Sequence, residues 1–372
     1  MSKELYDKRL ERIRKAVALE PVDKIPVAPC ANAYMARSEN VLMKDYISDY
    51  ELACTTNIKV LEKLNTDATQ NTIFTPWLLP LQWLSKIAVP GEELGDDELW
   101  QVKEAENMRF EDYQEILDDG FEAFQNRFVK EKCGDPNARL EPFFAYLPVA
   151  SRRINEAGIP CICDFLMITP FEFFCGGRSL EAFFMDDLMG EPELMDKIFE
   201  KTMEHTIPMY RSMMEQLKPI GVWIGGWRTA PDMISPQMWQ RFVAPYFKAY
   251  ADLCIEMDVI PIFHLDSNWN NALEWFRCMP PKKCILALDS KTDIRKAKAV
   301  LGDMMCILGD VPAELLAFGT YDEVYAHTTK LIDDIGPIGY IVASGCDIPA
   351  NAKPENVMAM CDAANNYLGS KS

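Results

Sequence analysis

Val259-Ile260-Pro261-Ile262-Phe263-His264-Leu265-Asp266 is an apolar run that closes on two polar, metal-capable side chains. A short continuous apolar run reads as a strand buried on both faces, as in a parallel sheet. Residues two apart on a strand point to the same side, so His264 and Asp266 face one small volume. A second apolar run, Tyr340-Ile341-Val342-Ala343, leads into Ser344-Gly345-Cys346-Asp347. The chain has only three histidines, and one of them ends a strand. An imidazole, a carboxylate and a thiolate at the ends of two strands make a three-ligand metal site with an open position.

Working outward, the same pattern recurs. Apolar runs at residues 25–30, 68–74, 161–168, 221–226, 259–264, 284–289, 305–310 and 340–344 read as strands. Amphipathic stretches at 193–217, 237–257, 271–277, 294–301 and 322–335 read as helices, and a last helix begins near Pro354, where proline suits the first turn. Repeated strand–helix units of this size predict an α/β fold, a TIM (β/α)8 barrel spanning residues 1–372 as a single domain. Residues 78–150 break the rhythm and read as a helical insertion over the C-terminal mouth. In such a barrel the strand ends carry the chemistry. They hold Asn32, Tyr34, Asn71, residues 164–169, Trp227, Arg228, His264, Asp266, Asp289, Asp310 and Cys346. Asp289, before Ser290-Lys291-Thr292, serves equally well as a cap.

Composition narrows the class. A formal net charge of −19 repels phosphate backbones and excludes nucleic acid as a natural partner. No apolar run is long enough to cross a membrane, and the charged N-terminal stretch is unlike a signal peptide, so a cytoplasmic protein is expected. Twelve cysteines without a Cys-x-x-Cys pair read as small core residues in a reducing compartment, not as a disulfide framework.

Several segments bear a family resemblance. They are Met233-Ile234-Ser235-Pro236-Gln237-Met238-Trp239, Ala244-Pro245-Tyr246-Phe247-Lys248, Ile262-Phe263-His264-Leu265-Asp266, Ile307-Leu308-Gly309-Asp310-Val311, Gly345-Cys346-Asp347-Ile348-Pro349 and Pro354-Glu355-Asn356-Val357. With them the chain resembles the uroporphyrinogen decarboxylase superfamily, and within it the cobalamin-dependent methyltransferase branch. The decarboxylases carry an arginine-rich N-terminal segment and a histidine after the last strand. Here residues 29–37 hold one arginine, Arg37, and Cys346 follows the last strand. The resemblance to the coenzyme M methyltransferases implies zinc held by His264, by the residue two further on, and by Cys346. That middle residue is a cysteine in those enzymes and Asp266 here. A carboxylate is a harder donor than a thiolate and leaves the metal a better Lewis acid toward oxygen.

The expectation is therefore a zinc-dependent O-demethylase component. It would move a methyl group from a methoxylated, aromatic substrate to the cobalt of a cobalamin on a separate corrinoid protein, since the chain has no Asp-x-His-x-x-Gly stretch of its own. Asn32 and Tyr34 would bond a phenolic oxygen. Met35, Met167, Phe171, Phe173, Phe174, Trp223 and Trp227 would hold a ring, although Met167 and Trp223 read equally as core. Arg228 is the cation at the mouth, and Asp310 would orient His264 or be a fourth ligand. The alternatives are a methylcobamide:thiol methyltransferase, a decarboxylase of a smaller substrate, and a non-catalytic member of the superfamily. The helical insertion is free to face solvent, the corrinoid protein or a twin subunit in a homodimer.

Overall fold

The computed structural model describes residues 2–367. Six parallel strands lie side by side in chain order: β1 (Leu166–Met167), β2 (Gly221–Gly226), β3 (Ile260–Leu265), β4 (Ile285–Leu288), β5 (Cys306–Val311) and β6 (Tyr340–Ser344). Two further extended segments complete the ring. The Ala28 amide donates to the Val342 carbonyl and the Val342 amide to Pro26, both at 2.9 Å, which docks residues 26–30 on β6. Asp67 and Gln70 donate in turn to Val27 and Pro29. Thr69 donates to Pro160 and accepts from Ile162, and the Trp223 amide reaches Phe165. The chain thus closes an eight-stave TIM barrel. The first three staves hold single bridges or two-residue strands where longer ones were expected. Pro26, Pro29 and Pro160 lack the amide that a continuous ladder needs.

Alternation sorts the side chains. Ala28, Cys30, Ala68, Cys163, Trp223, Ile262, Ala287, Leu308 and Ala343 fill the barrel interior, while Phe263, Leu265, Met167 and Val342 pack outward against helices. By the same parity His264, two residues after Ile262, points inward near the C-terminal end of β3. The opposite end is plugged. The helix Ser2–Val17, absent from the sequence expectation, drives Ile13, Ala16 and Val17 into the interior cluster.

The outer helices follow the expected positions with two differences. The stretch expected as one helix at 237–257 is two, Pro236–Phe242 and Ala244–Glu256, because Pro245 cannot continue the first. The stretch near 271–277 is a 3-10 turn, Leu273–Cys278. Within residues 78–150, only the short helix Leu79–Trp83 and the antiparallel hairpin Lys86–Ala88/Gln101–Lys103 lead toward the mouth. The helix Asp112–Asp119 packs beside Phe121–Lys132 and Pro192–Leu217, and Asn137–Glu156 lies on Tyr50–Leu64 and the N-terminal helix. They pack against outer helices. Among the described residues no cysteine is paired, and no helix is long and apolar enough to cross a membrane.

A buried ion cluster ties the plug to the barrel. Asp67, 1% exposed, pairs with Arg12 of the plug and with Lys24, and it accepts the Val27 amide at 3.0 Å. Removing its carboxylate leaves Arg12 buried with one partner fewer, a change that costs about 3–5 kcal/mol. Asp67→Ala should therefore lower the denaturation midpoint sharply, and Asp23→Ala, which removes the bidentate but half-exposed partner of Arg12, should lower it less. Urea unfolding of both variants checks this.

Candidate metal centre

Three donor atoms meet at the open end of the barrel. His264 Nε2 lies 3.3 Å from Asp266 Oδ1 and 3.4 Å from Cys346 Sγ, and all three donors fall within 4.8 Å of one another. For zinc–donor bonds of roughly 2.0–2.3 Å at tetrahedral angles, donors stand roughly 3.4–3.6 Å apart. The two His264 separations match this spacing and the third pair lies within 4.8 Å, so the three side chains are placed to hold one zinc ion with a small adjustment, leaving at least one position open. His264 is 2% exposed, whereas Asp266 and Cys346 are half-buried and face the mouth. Burial by itself lowers the His264 pKa, but the hydrogen bonds and charges of Asp266 and Cys346 overcome it and raise the value to about 10. The arrangement favours positive charge where the three donors converge.

The flanking loops fix these donors. After Asp266 the backbone turns at Ser267 with φ +71°, and Asp289 accepts the Ser267 and Lys291 amides. Asp289 is thus a loop clamp. Trp269 Nε1 donates to the Asp266 carbonyl at 2.7 Å. On the other side, Asp347 accepts the Asn32 amide at 2.8 Å and the Asn32 side chain at 3.3 Å. Asn71 Nδ2 donates to Asn32 Oδ1. Asn32 therefore sits beside Cys346 as a strut of its loop. A Cβ on Gly345 would meet the Asp289 backbone at 2.8 Å, so the approach of these two loops requires glycine there.

The far wall is aromatic. Gly225 pairs with His264 across the sheet, and a Cβ on it would lie 2.0 Å from the Trp227 ring, so the indole occupies that space. Trp83 meets Trp227 edge-on at 5.1 Å. Glu172, fully buried, accepts the Trp227 and Arg228 amides at 3.0 and 2.8 Å. Arg228 is held by Glu172 and by Glu104 of the insertion. Beneath the donors, Trp223 stacks on His264 with centroids 4.1 Å apart and planes 8° apart.

Other residues expected at the site lie elsewhere. Tyr34 and Met35 are buried in the outer helical core. Met167 points outward, its sulfur 3.7 Å from that of Cys254. Phe171 packs on Phe183 and Phe184, and Phe173 and Phe174 on Phe121. Asp310 is 5% exposed and stands outside the donor group. Its carboxyl makes no hydrogen bond to His264, whose Nδ1 has no partner. Sequence reasoning passed over Glu172, whose signal was a single acid inside the aromatic run Phe171-Glu172-Phe173-Phe174.

Comparison with known proteins agrees with this architecture. The uroporphyrinogen decarboxylase (URO-D) family model matches residues 173–367, just over half of the chain. The chain is 25% identical over 136 residues to the methylcobamide:CoM methyltransferase MtbA of Methanosarcina mazei, and 26% identical over 138 residues to that of Methanosarcina acetivorans. Each alignment covers 37% of this chain and 39% of the relative, so the chain spans about two fifths of the length of these curated relatives. A uroporphyrinogen decarboxylase of Syntrophotalea carbinolica is 23% identical over 178 residues, covering 48% of this chain and 49% of that protein. A solved methyltransferase from Methanosarcina mazei has the same fold, with a TM-score of 0.72 at 17% identity over 96% of this chain and 98% of that one.

Burial lifts the Glu172 carboxyl to about 7, against an ordinary value of 4.5. The folded chain therefore holds this proton more tightly than the unfolded chain. The associated stability is full below about pH 4.5 and is lost as pH rises to about 7, amounting to about 3 kcal/mol. Glu172→Gln removes the titration. The stability of wild type relative to this variant should fall between pH 5 and 8, as read by urea unfolding at each pH.

Proposed function

The chain belongs to the uroporphyrinogen decarboxylase family, and from that premise we propose that it is a zinc-dependent methyltransferase. In this reading it moves a methyl group from a methoxylated, aromatic substrate to the cobalt of a corrinoid carried by a partner protein. The observation that carries the reading is the convergence of His264, Asp266 and Cys346 at zinc-compatible spacing. Bound zinc supplies a Lewis acid for the oxygen that carries the methyl group, stabilising the negative charge that develops there. Asp266, the hard donor of the three, suits an oxygen substrate.

The surrounding residues bind and orient. Trp227 and Trp83, packed edge to face, form an aromatic wall beside the donors that suits an aromatic ring. Glu172 holds that wall by its two backbone amides. Arg228 is already neutralised by Glu172 and Glu104, which disfavours a substrate carrying several carboxylates. Arg37, the one arginine of residues 29–37, is likewise occupied, by Asp97. The N-terminal helix closes the other end of the barrel, so a corrinoid partner must approach the mouth, where the half-buried Asp266 and Cys346 face outward.

A second reading, methyl transfer from a methylcobamide to a thiol, is favoured by the two MtbA relatives, which are methylcobamide:CoM methyltransferases. The two readings differ in what the zinc binds. Wild-type protein should bind about one zinc per chain, and His264→Ala and Cys346→Ala should each lose it, measured by elemental analysis. Zinc-loaded protein mixed with cob(I)alamin and methoxylated aromatics should form methylcobalamin, seen by its visible spectrum. Asp266→Cys should shift the ratio of activities toward a thiol acceptor. Zinc binding with thiol methylation and no ether cleavage would establish the second reading instead.

A further inference from the structure

A metal-binding histidine almost always donates its second ring N–H to a carboxylate, a carbonyl or water, and that bond fixes the ring plane. In His264 no protein group among the described residues plays that part: Nε2 faces Asp266 and Cys346, and the buried Nδ1 has no protein hydrogen-bond partner. Asp310, the nearby buried acid expected to orient it, does not do so. Rotation of an imidazole about its last bond is otherwise broad, so some other contact must set the plane in which Nε2 meets the metal.

We propose that Trp223 is the positioning residue for His264, fixing the imidazole plane by face-to-face stacking in place of a hydrogen bond. The inference rests on the metal reading above. Trp223 lies on β2 two residues below Gly225, the residue paired with His264. Its ring is parallel to the imidazole within 8° at 4.1 Å, so rotating the imidazole out of that plane drives it into the indole. Trp223 Nε1 is itself buried without a partner, so the indole acts on His264 through its face alone. The π face of an indole is negative, which suits an imidazole polarised by a bound cation. Trp223 is 9% exposed and lines the barrel interior beneath the donors, so it acts on a substrate only through His264.

The test compares Trp223→Phe, which keeps a flat ring, with Trp223→Met, which fills apolar space without one. Zinc affinity is measured by competition with a chromophoric chelator, alongside the melting temperature of each zinc-free protein. The expected result is a loss of about 10- to 100-fold in zinc affinity for Trp223→Met, the range typical of removing an orienting partner. Trp223→Phe should recover most of that loss. Equal affinity of Trp223→Met and wild type overturns the inference and leaves the metal site standing. A wild-type chain that binds no zinc overturns the metal reading and this inference together. A second measurement needs no methionine variant. Zinc titration of wild type should change tryptophan emission, and the change should be clearly smaller in Trp223→Phe at equal bound zinc, the remainder coming from Trp227 and Trp269. The same change in both proteins overturns the stacking role.

Discussion

A buried imidazole set between a carboxylate and a cysteine sulfur gathers positive charge at one point, and the rest of the mouth is arranged around that point. His264 has lost its water, and its two neighbours outweigh the burial that would keep it neutral. Ionised groups gathered in a low-dielectric place are costly unless something of opposite charge binds them together. The barrel supplies the geometry cheaply. Two donors come from one strand end, one from another, and strand parity aims them at a common point.

The loops that carry the donors are held by a few directed contacts. Asp289 grips the turn after Asp266, and Asp347 with Asn32 and Asn71 grips the turn at Cys346. Glu172 does the same for the aromatic wall, and Gly225 leaves the room that Trp227 fills. Backbone amides at loop ends thus find carboxylate acceptors, as polar groups in a buried place must. The result is an open-ended site above a plugged barrel.

Much of this was legible beforehand. The last five staves are uninterrupted apolar runs, and each appears within a residue or two of its expected place. The convergence of His264, Asp266 and Cys346 was legible because a rare histidine, an acid and a cysteine stood at the ends of two such runs. The first three staves were harder, because prolines leave them joined by isolated bridges. The lining residues were harder still. An apolar residue near a strand end has two faces available, and Met167 turned to the helices, while Met35 and Phe171 lie within outer helices themselves. Trp223 read as core and is core, yet it also lies flat against a metal donor. Only the register of β2 on β3 brings those two rings together, and register is not a local property of either segment.

The central claim is a zinc centre built from one nitrogen, one carboxylate oxygen and one sulfur of this chain. X-ray absorption at the zinc edge of the loaded protein reads that donor set directly. The account predicts a single sulfur at about 2.3 Å with the remaining donors nitrogen or oxygen at about 2.0–2.2 Å. A shell without sulfur, or one with two or more protein sulfurs, would contradict it.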